Sequence, residues 1–207
     1  MTKRPYFRER TPNYRRSVGR FSPRQQFLIV CEGAKTEPNY FLGFPIPPDS
    51  IVDVEGVGMN TVRVVREAMR LRKEKKYDQV WAVFDRDNFP AENFNAALEL
   101  AQQQGIRVAY SNEAFELWYV LHFNYLDTGI SRADYCERLS GLLGHPYAKN
   151  DPNTYAELLL RQPVALRNAQ TLLSTWQPPH PESDKPSTTV HVLVTELNKL
   201  KWDFSER

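Results

Sequence analysis

Two uninterrupted apolar runs, FLIVC at residues 27–31 and VWAVF at residues 80–84, constrain this chain more than any other feature. Neither alternates with period two, as a strand wet on one side would. Each is the length of a strand covered on both faces. The segments around them carry the opposite pattern. TEPNYFLGF predicts a short helix, with Thr36 as N-cap and Pro38 in its first turn. SIVDVEGVG alternates and predicts a more exposed strand. TVRVVREAMRLRKEKK places Val62, Val65, Met69 and Leu71 on one face of a helix capped by Asn60 or Thr61. PAENFNAALELAQQQG predicts a helix with Pro90 near its start and Gly105 at its end, and IRVAYSN a fourth strand. Strands alternating with helices at this spacing predict an α/β fold, a mostly parallel sheet with helices on both faces.

Past residue 112 the pattern turns helical. AFELWYVLHFNYL predicts a largely buried helix, SRADYCERLSGLLG an amphipathic one, and TYAELLLRQPVALRNAQTLLSTW a helix broken near Pro163. After the Pro-rich QPPHPESDKPS comes TTVHVLVTELNKLKW, a closing helix with Ser187 or Thr188 as its cap. The expected organisation is a basic flexible arm over residues 1–24, an α/β core over 25–125, and a helical C-terminal extension over 126–207 packed on that core. No internal repeat is present.

Charge is unevenly spread. Residues 1–24 hold Lys3 and seven arginines against Glu9, a net +7, which leaves −5 on the rest of a chain whose total is +2. A basic arm on an acidic body suits phosphate binding or docking on an acidic partner, and equally a solvated leader. No apolar run approaches the roughly 20 residues that span a bilayer, and no signal-type stretch opens the sequence. The expectation is a cytoplasmic protein without a membrane partner, its Cys31 and Cys136 reduced and structural.

In a parallel sheet, ligands gather beyond the carboxyl ends of the strands. Both buried-type runs end in acids there, the first at Glu32 and the third strand at Asp85 and Asp87. In the sequence DRD the two aspartates sit at i and i+2 of an extended chain and point the same way. Three carboxylates meeting at neighbouring strand ends make a hard-oxygen pocket suited to Mg²⁺ or Mn²⁺. Each motif alone is weak, since Asp-x-Asp is common in turns. Their shared position at strand ends gives them weight. EGAK lacks the GK[ST] ending of a phosphate loop, no Gly-x-Ser-x-Gly is present, and the four histidines (122, 145, 180, 191) do not space like zinc ligands.

The order of Glu-Gly at the first strand end and Asp-x-Asp after the third resembles the Toprim domain of primases, topoisomerases and OLD-type nucleases. CEGAKTEPNYF, FDRDNF, SNEAFELWYVLHF and KPSTTV, which together span residues 27–190, resemble the RloB-like (AbiLii-type) family. That resemblance implies a Toprim-like fold and a metal-dependent endonuclease. It further implies an effector role in bacterial phage defence or abortive infection beside an AAA/ABC-type ATPase partner. By motif position it makes Glu32, Asp85 and Asp87 the metal-binding acids, with Asp87 acting through water or a second ion. Lys35 would neutralise phosphate charge, and Glu37 would be a further ligand or a helix-capping acid. Where the family usually has Asn before PST, this chain has Lys185.

Glu116, among Phe115, Leu117 and Trp118, is either a functional carboxylate completing a second metal site or the anchor of a salt bridge. Asn112 and Glu113 are candidates for capping that helix. His122 reads first as a satisfied core histidine, and Lys149, Lys185 and Ser187 as structural positions within reach of phosphate. Two functions follow. One is Mg²⁺-dependent cleavage of RNA, tRNA among the candidates, or DNA by water attack at phosphorus. The other is a non-catalytic nucleic-acid-binding or partner-regulated sensor module. Neither the nucleic-acid type nor homo-oligomer formation is readable.

Overall fold

The computed structural model describes residues 25–87 and 90–200; the basic arm expected over 1–24 lies outside the described residues. The elements run β1 (Gln26–Cys31), α1 (Thr36–Leu42), β2 (Ile51–Gly56), α2 (Thr61–Leu71), β3 (Gln79–Asp85), α3 (Ala91–Gln103) and β4 (Arg107–Asn112). They continue with α4 (Glu116–Val120), α5 (Arg132–Leu143), α6 (Thr154–Leu158), a 3-10 turn (Leu159–Arg161), α7 (Gln162–Ser174), β5 (Ser187–Thr188) and α8 (Val190–Asn198). The sheet order is β2-β1-β3-β4-β5, parallel throughout except for the antiparallel β4–β5 pair.

The two apolar runs are the two central strands, and their alternate residues feed two separate cores. On one face Phe27, Ile29 and Cys31 of β1 and Trp81 and Val83 of β3 meet α1 and the helices α4 to α8. On the other, Leu28, Val30, Ala82 and Phe84 meet α2 and α3. Every residue of β1 from Phe27 onward is buried for that reason. β2, at the edge, is only half buried. Val52 and Val54 turn inward, while Asp53 accepts from Lys75 Nζ at 2.7 Å and from the Tyr77 hydroxyl at 2.6 Å.

Several local expectations change. Thr36 is the first residue of α1, and Lys35 occupies the cap position without a side-chain bond. The buried face of α2 is Thr61, Val64, Val65 and Ala68; Val62, Met69 and Leu71 only flank it, because a helix lying on a sheet buries a broader stripe than one seam. AFELWYVLHF is buried as expected but forms a helix of only five residues. Ser187 and Thr188 do not simply cap α8. They form the edge strand β5, with the Ser111 and Thr188 hydroxyls bonded at 3.1 Å, and the Thr188 hydroxyl also donates to the Tyr110 carbonyl at 2.9 Å. The break near Pro163 is real: the chain passes through the 3-10 turn and restarts as α7, where that proline sits in the first turn. Residues from 126 onward therefore supply both a strand to the sheet and much of one core.

Candidate functional site

The register of β1 against β3 decides what meets at the carboxyl end of the sheet. Cys31 lies opposite Val83, and the ladder runs one bond further, from Glu32 N–H to the Val83 carbonyl at 2.8 Å. That bond fixes the Glu32 backbone two residues short of Asp85. The Glu32 carboxylate then accepts the Asp85 N–H at 2.9 Å. The two acids from the two central strand ends thus stand side by side.

Glu37 joins them from the first turn of α1. It is buried, and its carboxylate accepts the Gly33 N–H at 3.3 Å. Gly33 must lack a side chain for this: a Cβ there would come within 2.1 Å of Glu37 Oε2. Asp87 lies two residues past β3, facing the same opening as Asp85. Glu32, Gly33, Glu37, Asp85 and Asp87 line one open pocket of about 320 Å³, together with Arg132 and the loop Gly58–Asn60 that follows β2. Lys35 is exposed and makes no ion pair among the described residues.

Arg132 is the member that sequence reasoning missed. It opens α5, whose start is set by a capping box: Ser131 Oγ accepts the Asp134 N–H at 3.3 Å, and the Asp134 carboxylate accepts the Ser131 N–H at 3.0 Å. From there its guanidinium donates to Asp85 Oδ2 at 3.2 Å, pairs closely with Asp87 Oδ1, and reaches the Glu113 carbonyl at 3.3 Å. The Ser-x-x-Asp signal was present in the sequence and would have placed Arg132 at a helix start. Its contact with the aspartates depends on how α5 packs.

Glu116 is also buried, and it is not alone: the Tyr147 hydroxyl donates to it at 3.3 Å and Lys149 Nζ stands 3.4 Å away. Glu113 pairs closely with Lys185 Nζ, and Asn112 donates to the Pro181 carbonyl at 3.3 Å, so neither caps α4. His122 is away from the acids. Its Nδ1 donates to the Trp118 carbonyl at 2.9 Å and its ring packs among Tyr40 and Trp118, with burial pushing its pKa down to about 4. Ser187 donates to the Asp184 carbonyl at 2.7 Å within its loop.

The electrostatics follow from the crowding. Burial, then the Glu37 charge, pushes Asp85 well above the usual carboxylate range; Arg132 opposes this, and Glu116 and Glu32 add to it. Glu32 rises to about 7, chiefly through burial and secondarily through Glu37, against the lowering effects of the Asp85 N–H and Arg132. Glu37 is raised as well, by burial first, and the charge of Glu116 adds to it. Burial thus raises Glu32, Glu37 and Asp85, and the neighbouring acids add to it.

Among the described residues no group of three or more His, Cys, Asp or Glu side chains is arranged to hold a metal ion. The donor chemistry nonetheless fits a hard divalent cation, because the candidates are all carboxylates, raised first by burial and further by the acids beside them. Asp85 and Asp87 are in the grip of Arg132, so a cation would compete with that guanidinium.

Among the described residues no helix is long and apolar enough to cross a membrane. No curated protein and no solved structure matches the chain. One family model does, described as RloB-like protein, and it covers residues 27–197, from the first buried residue of β1 to the last turn of α8. That span takes in every acid of the pocket as well as Arg132, and on that match the chain belongs to the RloB-like protein family.

Proposed function

We propose that this chain is a divalent-metal-dependent phosphodiesterase of Toprim-like type, cleaving RNA or DNA. The observation that carries the reading is the juxtaposition of Glu32 and Asp85 at adjacent parallel strand ends, with both carboxyls displaced upward. Glu32, Asp85 and Asp87 would hold Mg²⁺ or Mn²⁺, with Glu37 beside them and Glu116 behind. The bound cation would supply polarisation of a phosphoryl oxygen and stabilisation of the leaving oxygen. Arg132, released from the aspartates, is placed to bind a phosphate oxygen, since a guanidinium suits that geometry. Exposed Lys35 would neutralise phosphate charge at the rim.

Family membership supports the biological setting: an effector in bacterial phage defence, acting in the cytoplasm with an AAA/ABC-type ATPase partner. A gene for such an ATPase beside this one would support the pairing.

Arg132 also favours a second reading. With Asp85 and Asp87 already paired to a guanidinium, the site could serve a nucleic-acid-binding or partner-regulated sensor module without turnover. Incubating the protein with tRNA, single-stranded DNA and duplex DNA in Mg²⁺ or Mn²⁺ separates the two. Cleavage lost in Glu32→Gln and Asp85→Asn is expected. Equal cutting by wild type and both variants would refute the assignment of these acids, and binding without cutting would favour the sensor.

A further inference from the structure

We infer that the N-terminal end of α2 is a second phosphate site, holding a backbone phosphate of the same nucleic-acid strand whose scissile phosphate lies at Glu32 and Asp85. The inference rests on the phosphodiesterase reading and extends it along the substrate.

A pocket of about 250 Å³ opens at the start of α2, lined by Asn60, Thr61, Val62, Arg63 and Arg66 and by Asn93 of α3. Asn60 also lines the acid pocket, so the two are contiguous. The N–H groups of Thr61 and Val62 find no acceptor among the described residues. The Asn60 carbonyl takes the N–H groups of Arg63 and Val64 instead, and the Asn60 side chain makes no capping bond. Unsatisfied N–H groups at the positive end of a helix are an anion-binding arrangement.

A second observation points to a ligand. Thr61 is only 5% exposed, yet its hydroxyl has no hydrogen-bond partner among the described residues. The hydroxyl is not among the fully enclosed orphan atoms, so it keeps a small opening, and Thr61 lines the pocket.

The charges agree. The first turn of α2 contains no acid, although acids are the favoured residues there, and carries Arg63 in their place. Arg63 and Arg66 are exposed and make no ion pair among the described residues. Further along the same helix Arg70 is tied to Glu67 at 2.8 Å and Glu74 at 2.5 Å, and just beyond its end Arg72 donates to the Gln104 carbonyl at 2.6 Å. The two arginines without acids are the two that line the pocket. A phosphodiester there would take the free N–H groups, the Thr61 hydroxyl and both guanidinium groups. A strand leaving the acids would be led over α2.

The test is binding of fluorescein-labelled 12-nucleotide oligo(U) and oligo(dT) by the full chain, followed by anisotropy across a salt series. Arg63→Ala/Arg66→Ala should raise Kd about tenfold at low salt and shrink the slope of log K against log salt by roughly 1.4, about 0.7 for each lost contact. Thr61→Val should weaken binding by a smaller factor, and Arg70→Ala should bind as wild type. The inference is overturned if wild type binds neither oligonucleotide, or if the double variant matches wild type in both Kd and slope. Cleavage assays on the same proteins keep the two readings apart. Cutting that requires Asp85 but is unaffected by the double variant would sink the second site and leave the nuclease. Binding that requires Arg63 and Arg66 with no cutting by wild type would uphold the site and sink the nuclease.

Discussion

Glu113 and Glu32 are both shielded acids near the carboxyl end of one sheet, and they live under opposite conditions. Glu113 has its own lysine, Lys185, in close contact, so its charge is compensated within the fold. Glu32 shares the guanidinium of Arg132 with Asp85, Asp87 and Glu37, and burial, with the Glu37 charge adding to it, pushes its carboxyl to about 7. Glu116 stands between: Lys149 and Tyr147 attend it, yet its charge is felt by both Asp85 and Glu37. Burial alone therefore does not mark a functional acid. What separates the two regions is whether the fold provides each acid with a counter-charge of its own.

The strongest way to break that comparison is cation binding. Calorimetric titration with Mn²⁺ should lose at least about a hundredfold in affinity in Asp85→Asn, because the charged oxygen donor between Glu32 and Asp87 is removed. Equal affinity in wild type and variant would put the cation elsewhere.

Stability against pH comes next. Burial holds the proton on Glu32 up to about 7, whereas the unfolded chain releases it near 4.5, so the native state loses stability as pH rises through that window. His122 works the other way. Burial lowers it from 6.5 to about 4, and stability is lost as pH falls through that range. The two partly cancel in wild type. Glu32→Gln isolates the acid: without added cation its stability advantage over wild type should grow by on the order of 2 kcal/mol between pH 5 and pH 8, allowing for the carboxyl's partial exposure. Denaturant unfolding at both pH values measures it, and a gap that stays constant contradicts the account.

Glu116→Gln should weaken Mn²⁺ binding about tenfold, as loss of a supporting acid commonly does. A change as large as that of Asp85→Asn would promote Glu116 to a direct ligand. Smallest of all, Glu113→Gln should leave Mn²⁺ affinity within about twofold of wild type, because Lys185 already compensates that charge. A large loss there would erase the distinction between the two regions.

How much of this was legible depended on the range of the interaction. FLIVC and VWAVF foretold two central strands because burial on both faces is written into consecutive residues. The meeting of Glu32 with Asp85 followed from strand ends alone. β5 did not, since two residues carry no period and only pairing with β4 makes them a strand. The face of α2 was misjudged because Val64 and Ala68 are buried by the sheet beneath, which the helix's own pattern does not specify. Arg132 was invisible for a related reason. A local box sets where its helix begins, but its partner Asp85 lies 47 positions back along the chain.

The late arrival of β5 bears on how the chain is made. Ser111 of β4 waits for Thr188, 77 positions later, before that side of the strand has a neighbour. During synthesis β4 therefore emerges from the ribosome as a bare edge, and it stays one while the whole of α4 to α7 is being translated. Unpaired edges of this kind are where nascent chains join one another by mistake. The segment after residue 180 is thus a closing clasp, and the speed at which it is translated sets how long the half-made sheet is open to a stranger's strand.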